Sequence, residues 1–372
     1  MTFGVRSLGL MALLGLVMQS AALAQCVSLT TAGSGVSQNF DTLATTGINN
    51  NLTITGWFLD ETGGGTRDNE QYGADTGSSN TADTYSYGAA AASERALGGL
   101  QSGTLIPTFG ACFTNNTGVT LGSLRVDYTG EQWRLGVAAR TDQIDFQYST
   151  NATSLVTGSW TDVNALDFVT PFTATAGARD GNLAANRTAL THTIPGLSIA
   201  NGATFWIRWT DFNISGADDG LAVDDFSLTP FADPCASIAF PYTLPNFAPA
   251  TLITAMECAN ANGPSADSID LASQTIALTS AYADYTGATG LPQVNTAMTL
   301  QNGTIARSGA SQFRLLAVGL SGNLTLNNVT ATRMPRPQPP RTPCPRGSSP
   351  PSPRCCADER APPPWRPAGR RR

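Results

Sequence analysis

Residues 203–212 read ATFWIRWTDF. Successive side chains of a β-strand point to opposite faces. Phe205, Ile207 and Trp209 therefore share one face, while Trp206 and Arg208 share the other. Similar runs recur at 52–60 (LTITGWFLD), 123–136 (SLRVDYTGEQWRLG), 144–150 (IDFQYST) and 221–229 (LAVDDFSLT). Turns rich in Gly, Asn, Asp, Ser and Thr separate them, and almost no stretch from Cys26 to Pro230 carries a helical period. The pattern predicts an all-β chain, with an antiparallel jelly-roll β-sandwich over residues 25–230.

Residues 231–268 are rich in Pro and Ala and read as a linker leading into a second region. Strand-like patches then recur at 275–280, 297–306, 313–318 and 324–332. Leu278, Leu300 and Leu326 stand 22 and 26 residues apart, close to one solenoid coil. Residues 269–333 are thus predicted to be a short, incomplete right-handed parallel β-helix. From Met334 the composition changes, and residues 334–372 hold 13 of the 23 prolines and 9 of the 21 cationic residues. Proline offers no amide hydrogen to a ladder, so this tail is expected to be disordered. The abrupt change suggests a truncated or frame-shifted product of a longer surface protein.

Arg6, the apolar run from Leu8 to Met18 and the small residues Ala22 and Ala24 form the three parts of a secretory signal peptide spanning 1–24. As a helix the apolar run reaches about 16 Å against a hydrocarbon core of about 30 Å. No other apolar run approaches spanning length, so no transmembrane segment is expected. Cys26 opens a lipoprotein alternative, which Gln25 fits poorly. From Gln25 to Arg333, 25 acidic residues face 11 arginines, a net charge near −14. That balance disfavours nucleic acid as a partner. The chain holds no lysine, which removes Walker-type phosphate loops and Schiff-base chemistry. Its one histidine, His192, lies in an alternating stretch and reads as a solvent-facing strand residue. Four cysteines precede the tail, an even count that fits two disulfides in an oxidising compartment. Of three pairings, Cys26 with Cys112 and Cys235 with Cys258 is favoured because each pair stays within one proposed domain; free buried cysteines are the alternative.

Several separated motifs carry a resemblance. YGADTGSSNTADTYSYGAAAASERALGGL (72–100), CFTNNTG (112–118), YTGEQWR (128–134) and GLAVDDFSLT (220–229) are similar to a β-sandwich module of bacterial secreted and surface proteins. That module precedes nucleases, β-helices or sorting tails, and the likeness covers about residues 38–230. Residues 290–333 resemble the first coils of right-handed β-helix surface proteins, including those with CSLREA and polymorphic outer-membrane signatures. The resemblance implies a secreted, extracellular or cell-surface protein with a structural or adhesive role. Its partner would be an extracellular polysaccharide or a host or matrix surface. The rival reading is a carbohydrate-binding module attached to a polysaccharide-acting β-helix.

The best candidate ligand set is acidic: Asp218, Asp219, Asp224 and Asp225, with Asp211 nearby. Carboxylates on a Gly-containing turn and the following strand can supply the oxygen ligands calcium takes; solvated or hydrogen-bonded structural carboxylates are the alternative. Apart from this possible Ca²⁺, no cofactor is expected. Among the tryptophans, Trp206 is the one alternation sends off the core face, making it the candidate for stacking on a sugar. Glu131 and Arg134 read as a structural ion pair. No two carboxylates stand out as a glycosidase pair, and the coils offer only Asp284, Arg307, Arg314 and Arg333 for lyase chemistry. No catalytic activity is expected.

Overall fold

A computed structural model describes residues 25–211 and 213–333. The expected signal peptide and tail lie outside the described residues. The chain divides into two compact units, Met1–Ser237 and Ile238–Arg372.

The described part of the first unit contains β1 (Val27–Leu29), β2 (Val36–Gln38), β3 (Trp57–Thr62), β4 (Tyr72–Asp75), β5 (Asp83–Tyr87), β6 (Ala96–Leu100), β7 (Ile106–Asn115) and β8 (Leu121–Leu135). It continues with β9 (Gln143–Ser149), β10 (Thr161–Asp162), β11 (Phe168–Val169), β12 (Gly177–Ala178), β13 (Arg187–Ile194), β14 (Thr204–Asp211) and β15 (Gly220–Ala232). One sheet runs β1-β7-β14-β9-β10, with β3 on β7 and β11 on β9. The other runs β12-β8-β15-β6-β5-β4, with β13 on β8 and β2 on β15. All pairs are antiparallel except β1 with β7 and β4 with β5. The chain changes sheet at each step from β6 to β9 and again from β13 to β15, the interleaved connectivity of a jelly roll.

Phe205, Ile207 and Trp209 face into the sandwich with Phe109 and Phe146 of their own sheet and Tyr128, Val223 and Phe226 of the other. Trp209 packs against Trp57, Tyr128 and Phe226 at ring-centroid separations of 6.0, 5.3 and 5.8 Å. His192 departs from the sequence reading. It is half-buried on β13, on the side of Leu190 and Ile194, which pack toward the core.

Strict alternation along β15 would put Asp225 on the same face as Leu221 and Val223. A β-bulge prevents this: the register against β8 shifts between Asp224 and Ser227, and Asp225 adopts φ 49°. Asp225 is pushed out to solvent, Phe226 returns to the core, and Asp224 stays buried on the outer face.

The second unit contains β16 (Tyr242–Thr243), α1 (Pro249–Ala261), β17 (Asp267–Asp270), β18 (Thr275–Leu278), β19 (Ala283–Asp284), β20 (Ala288–Thr289), β21 (Ala297–Arg307) and β22 (Asn323–Arg333). The helix lies within residues read as linker. Leu252, Ala255, Met256 and Ala259 line its buried face at helical spacing, and Pro249 opens it, where a missing amide hydrogen costs nothing. The β16, β17, β18, β21 and β22 strands form a parallel sheet over a core that includes Ile269, Leu271, Leu300 and Ile305. Leu300 pairs with Leu326, as the leucine spacing suggests, but Leu278 pairs with Arg307 and it is Ile269 that faces Leu300. The physical cause is a corner at Ala272 and Ser273, both at positive φ, which lets β17 and β18 pair with two halves of one long strand.

Candidate functional site

The predicted calcium ligands do not converge. Asp219 is spent on protein donors: Oδ1 accepts from the Gly136 amide at 2.7 Å and Oδ2 from Gln132 Nε2 at 3.1 Å, with Arg140 3.4 Å away. Its own amide donates to Asp142 Oδ2 at 2.9 Å. Burial pushes the Asp219 carboxyl up to about 6, opposed by the Gly136 amide. Asp218 Oδ1 accepts from the Ile214 amide at 3.1 Å. Asp225 stands in solvent on the bulge. Asp218 and Asp219 lie beside Asp142, whereas Asp224 belongs to a separate acidic group whose companions are Glu94 and Glu131, which the sequence reading did not place there.

That group lies on the outer face of the second sheet. Alternation along β8 sends Leu124, Val126 and Tyr128 inward and Glu131 and Trp133 outward, where Trp133 joins a small cluster with Tyr85, Tyr87, Leu100 and Ala222. The ring of Tyr87 stacks on Trp133 at 6.0 Å. Residues 177–186 cover this cluster. Gly181 lies so close that an added Cβ would sit 2.4 Å from Trp133 Nε1, the Arg179 amide donates to Trp133 O, and Asn182 Nδ2 donates to Glu94 Oε2. Glu131 is 0 % exposed and Asp224 6 %. Glu131 Oε2 accepts from Trp133 Nε1 at 2.9 Å, so the expected ion pair with Arg134 does not form; Arg134 instead donates to Gly77 O. Burial raises the Glu131 carboxyl to about 7 and the Asp224 carboxyl to about 8. Glu94 was hidden because it sits in the small-residue stretch AAAASERAL, where no periodicity marks a face.

Trp206 lies on the outer face of the first sheet, as alternation requires, but it is only 6 % exposed. It packs with Cys112, Ala152 and Leu155, and its ring meets Phe58 at 4.9 Å. Trp206 is therefore a floor beneath other residues and offers no open flat face. Nearby, the Arg208 guanidinium lies 4.0 Å over the Trp160 ring and donates to Gln147 Oε1 and Leu155 O at 2.8 and 2.5 Å.

Two depressions adjoin along β3. One, of about 240 Å³, is lined by Phe58, Leu59, Asp60, Thr153, Ser154, Leu155 and Trp206. The other, of about 520 Å³, is lined by Gln25, the 51–59 segment and Glu70. They share Phe58 and Leu59. Burial raises the Asp60 carboxyl from its ordinary value, and Asp68 and Glu61 add to the effect. Phe58 and Asp60 alternate on β3 within the quoted run LTITGWFLD, so their shared face was legible; their exposure at a depression was not.

No protein-family model and no curated protein matches the chain. Among solved structures, it is similar to the CBM22-1 xylan-binding domain of Paenibacillus barcinonensis Xyn10C, with 11 % identity, TM-score 0.28, and coverage of 55 % of this chain and 99 % of that one. It is also similar to the K3 adhesin domain of Lys-gingipain from Porphyromonas gingivalis, with 10 % identity, TM-score 0.31, and coverage of 52 % and 97 %. At these values the likeness assigns no activity.

Proposed function

We propose that this chain is an extracellular protein whose sandwich unit binds polysaccharide on the outer face of its first sheet. The reading rests on the two adjoining depressions that share Phe58, whose walls combine one half-buried aromatic ring with amide, hydroxyl and carboxylate groups from Asn51, Thr53, Asp60, Thr153 and Ser154. An aromatic face packs on the apolar face of a pyranose, and polar groups around it read the hydroxyls. The Cys26–Cys112 disulfide supports an oxidising compartment. The second unit acts as the opening coils of a right-handed β-helix, a structural carrier that presents the binding face at a cell or matrix surface. The reading is of a binder and adhesin, with no bond made or broken.

The test is a glycan array followed by calorimetry on the whole secreted chain. Phe58→Ala should weaken glycan binding by roughly five- to tenfold, the worth of one stacked ring, and Asp60→Asn should shift the glycan preference. Trp206→Ala should chiefly lower the melting temperature. If the wild-type protein retains no glycan at millimolar concentration, or if Phe58→Ala binds as tightly as wild type, the reading is wrong.

A further inference from the structure

We propose that Glu94, Glu131 and Asp224 hold a calcium ion on the outer face of the second sheet, beneath residues 177–186. One ligand oxygen from each residue lies within 4.8 Å of the others. Calcium–oxygen distances of about 2.3–2.6 Å place opposite ligands of one ion about 4.6–5.2 Å apart, so a single calcium spans the group.

The unpartnered atoms carry the argument further than the acidic residues alone. Glu131 Oε1 and Asp224 Oδ1 are buried and accept no hydrogen bond, and both belong to side chains more than nine-tenths buried. Both are oxygen acceptors. Buried polar atoms in native proteins are almost always satisfied, and a local surplus of acceptors calls for a donor or a cation. Among the described residues no arginine forms an ion pair with Glu94, Glu131 or Asp224, and the chain has no lysine to supply one.

The groups around the site orient it. Trp133 Nε1 holds Glu131 by Oε2 and leaves Oε1 free, while Asn182 Nδ2 holds Glu94 by Oε2. Donors in this position fix the direction of a metal-binding carboxylate. An all-oxygen ligand set of carboxylates suits a hard cation. The competing arrangement is protonation, in which the carboxyls share protons and need no ion.

The experiment uses terbium as a luminescent stand-in for calcium, on the whole chain after chelation. With Trp133 beside the ion, tryptophan excitation should give sensitised terbium emission at one ion per chain, displaced by calcium, and calcium should raise the melting temperature. Glu131→Gln preserves an acceptor for Trp133, and Asp224→Asn keeps shape; each should weaken binding at least roughly ten- to a hundredfold. Should either variant fail to fold by circular dichroism, Glu94→Gln at the half-buried rim supplies the same comparison. Wild-type protein that shows neither sensitised emission nor a calcium-dependent melting shift overturns the proposal in favour of shared protons. Binding that persists unchanged in folded Glu131→Gln, Asp224→Asn or Glu94→Gln overturns it in favour of another site.

Discussion

Asp83 shows how one buried group can set a pH response. It is buried beside Glu61, whose oxygens are taken by the Thr84 and Asn69 amides at 2.9 and 3.1 Å, and it pairs with Arg67 at 3.3 Å. Burial, reinforced by Glu61, lifts the Asp83 carboxyl from 3.8 to about 7. The folded state therefore holds more protons than the unfolded chain between these values, and stability falls as pH rises through that window. Removing the titration in Asp83→Asn should leave a variant that loses roughly 1–3 kcal/mol less than wild type between pH 5 and pH 8. Urea unfolding at both pH values measures this, and parallel curves for the two proteins would discard the assignment. Gly77 is constrained in a different way: at φ +81°, an added Cβ would lie 1.8 Å from Trp133 O. Gly77→Ala should cost more than about 2 kcal/mol, whereas Gly64→Ala, also at positive φ but with nothing within 4 Å, should cost only about 1 kcal/mol.

Elements were legible wherever a single period ran undisturbed. β14 alternates cleanly over nearly the whole stretch from 203 to 212 because one face lies against the core, whereas the stretch 52–60 becomes a strand only from Trp57 and runs on to Thr62. α1 was as legible in principle, since Leu252, Ala255, Met256 and Ala259 stand at helical spacing, but the prolines flanking it in 231–268 suggested a linker. Met256 is fully buried, so Met256→Ala should destabilise the second unit by about 2–4 kcal/mol, read by differential scanning calorimetry as a shift in that unit's transition. The candidate sites were less legible because backbone irregularities build them. The bulge at Asp225 turns out to solvent a carboxylate that alternation would aim at the core, and Glu94 meets Glu131 and Asp224 only through sheet neighbours distant in the chain. Spacing along one strand carries no trace of either event.

Across the whole molecule, the covalent framework was easier to foresee than the candidate sites. Cys26 and Cys112 are joined across 86 residues, and Cys235 and Cys258 are each disulfide-bonded. In the chain-entropy limit a loop of that length restrains the unfolded state by about 4.5 kcal/mol. Replacing Cys26 and Cys112 together by serine should therefore lower the melting temperature of the sandwich by several degrees or more, and an unchanged value would show that the unfolded chain gains nothing from the link. In the second unit, β21 and β22 set several identical residues in register, Thr299 over Thr325, Leu300 over Leu326 and Thr304 over Thr330, with Asn328 Nδ2 donating to Asn302 Oδ1 at 3.2 Å. Asn302 and Asn328 even share the same positive φ of 56°. A slip of one residue between these two strands would set Leu300 against Thr325 or Asn327 and break the Asn302–Asn328 contact. The matched pairs therefore act as a ratchet that holds the two strands to one alignment.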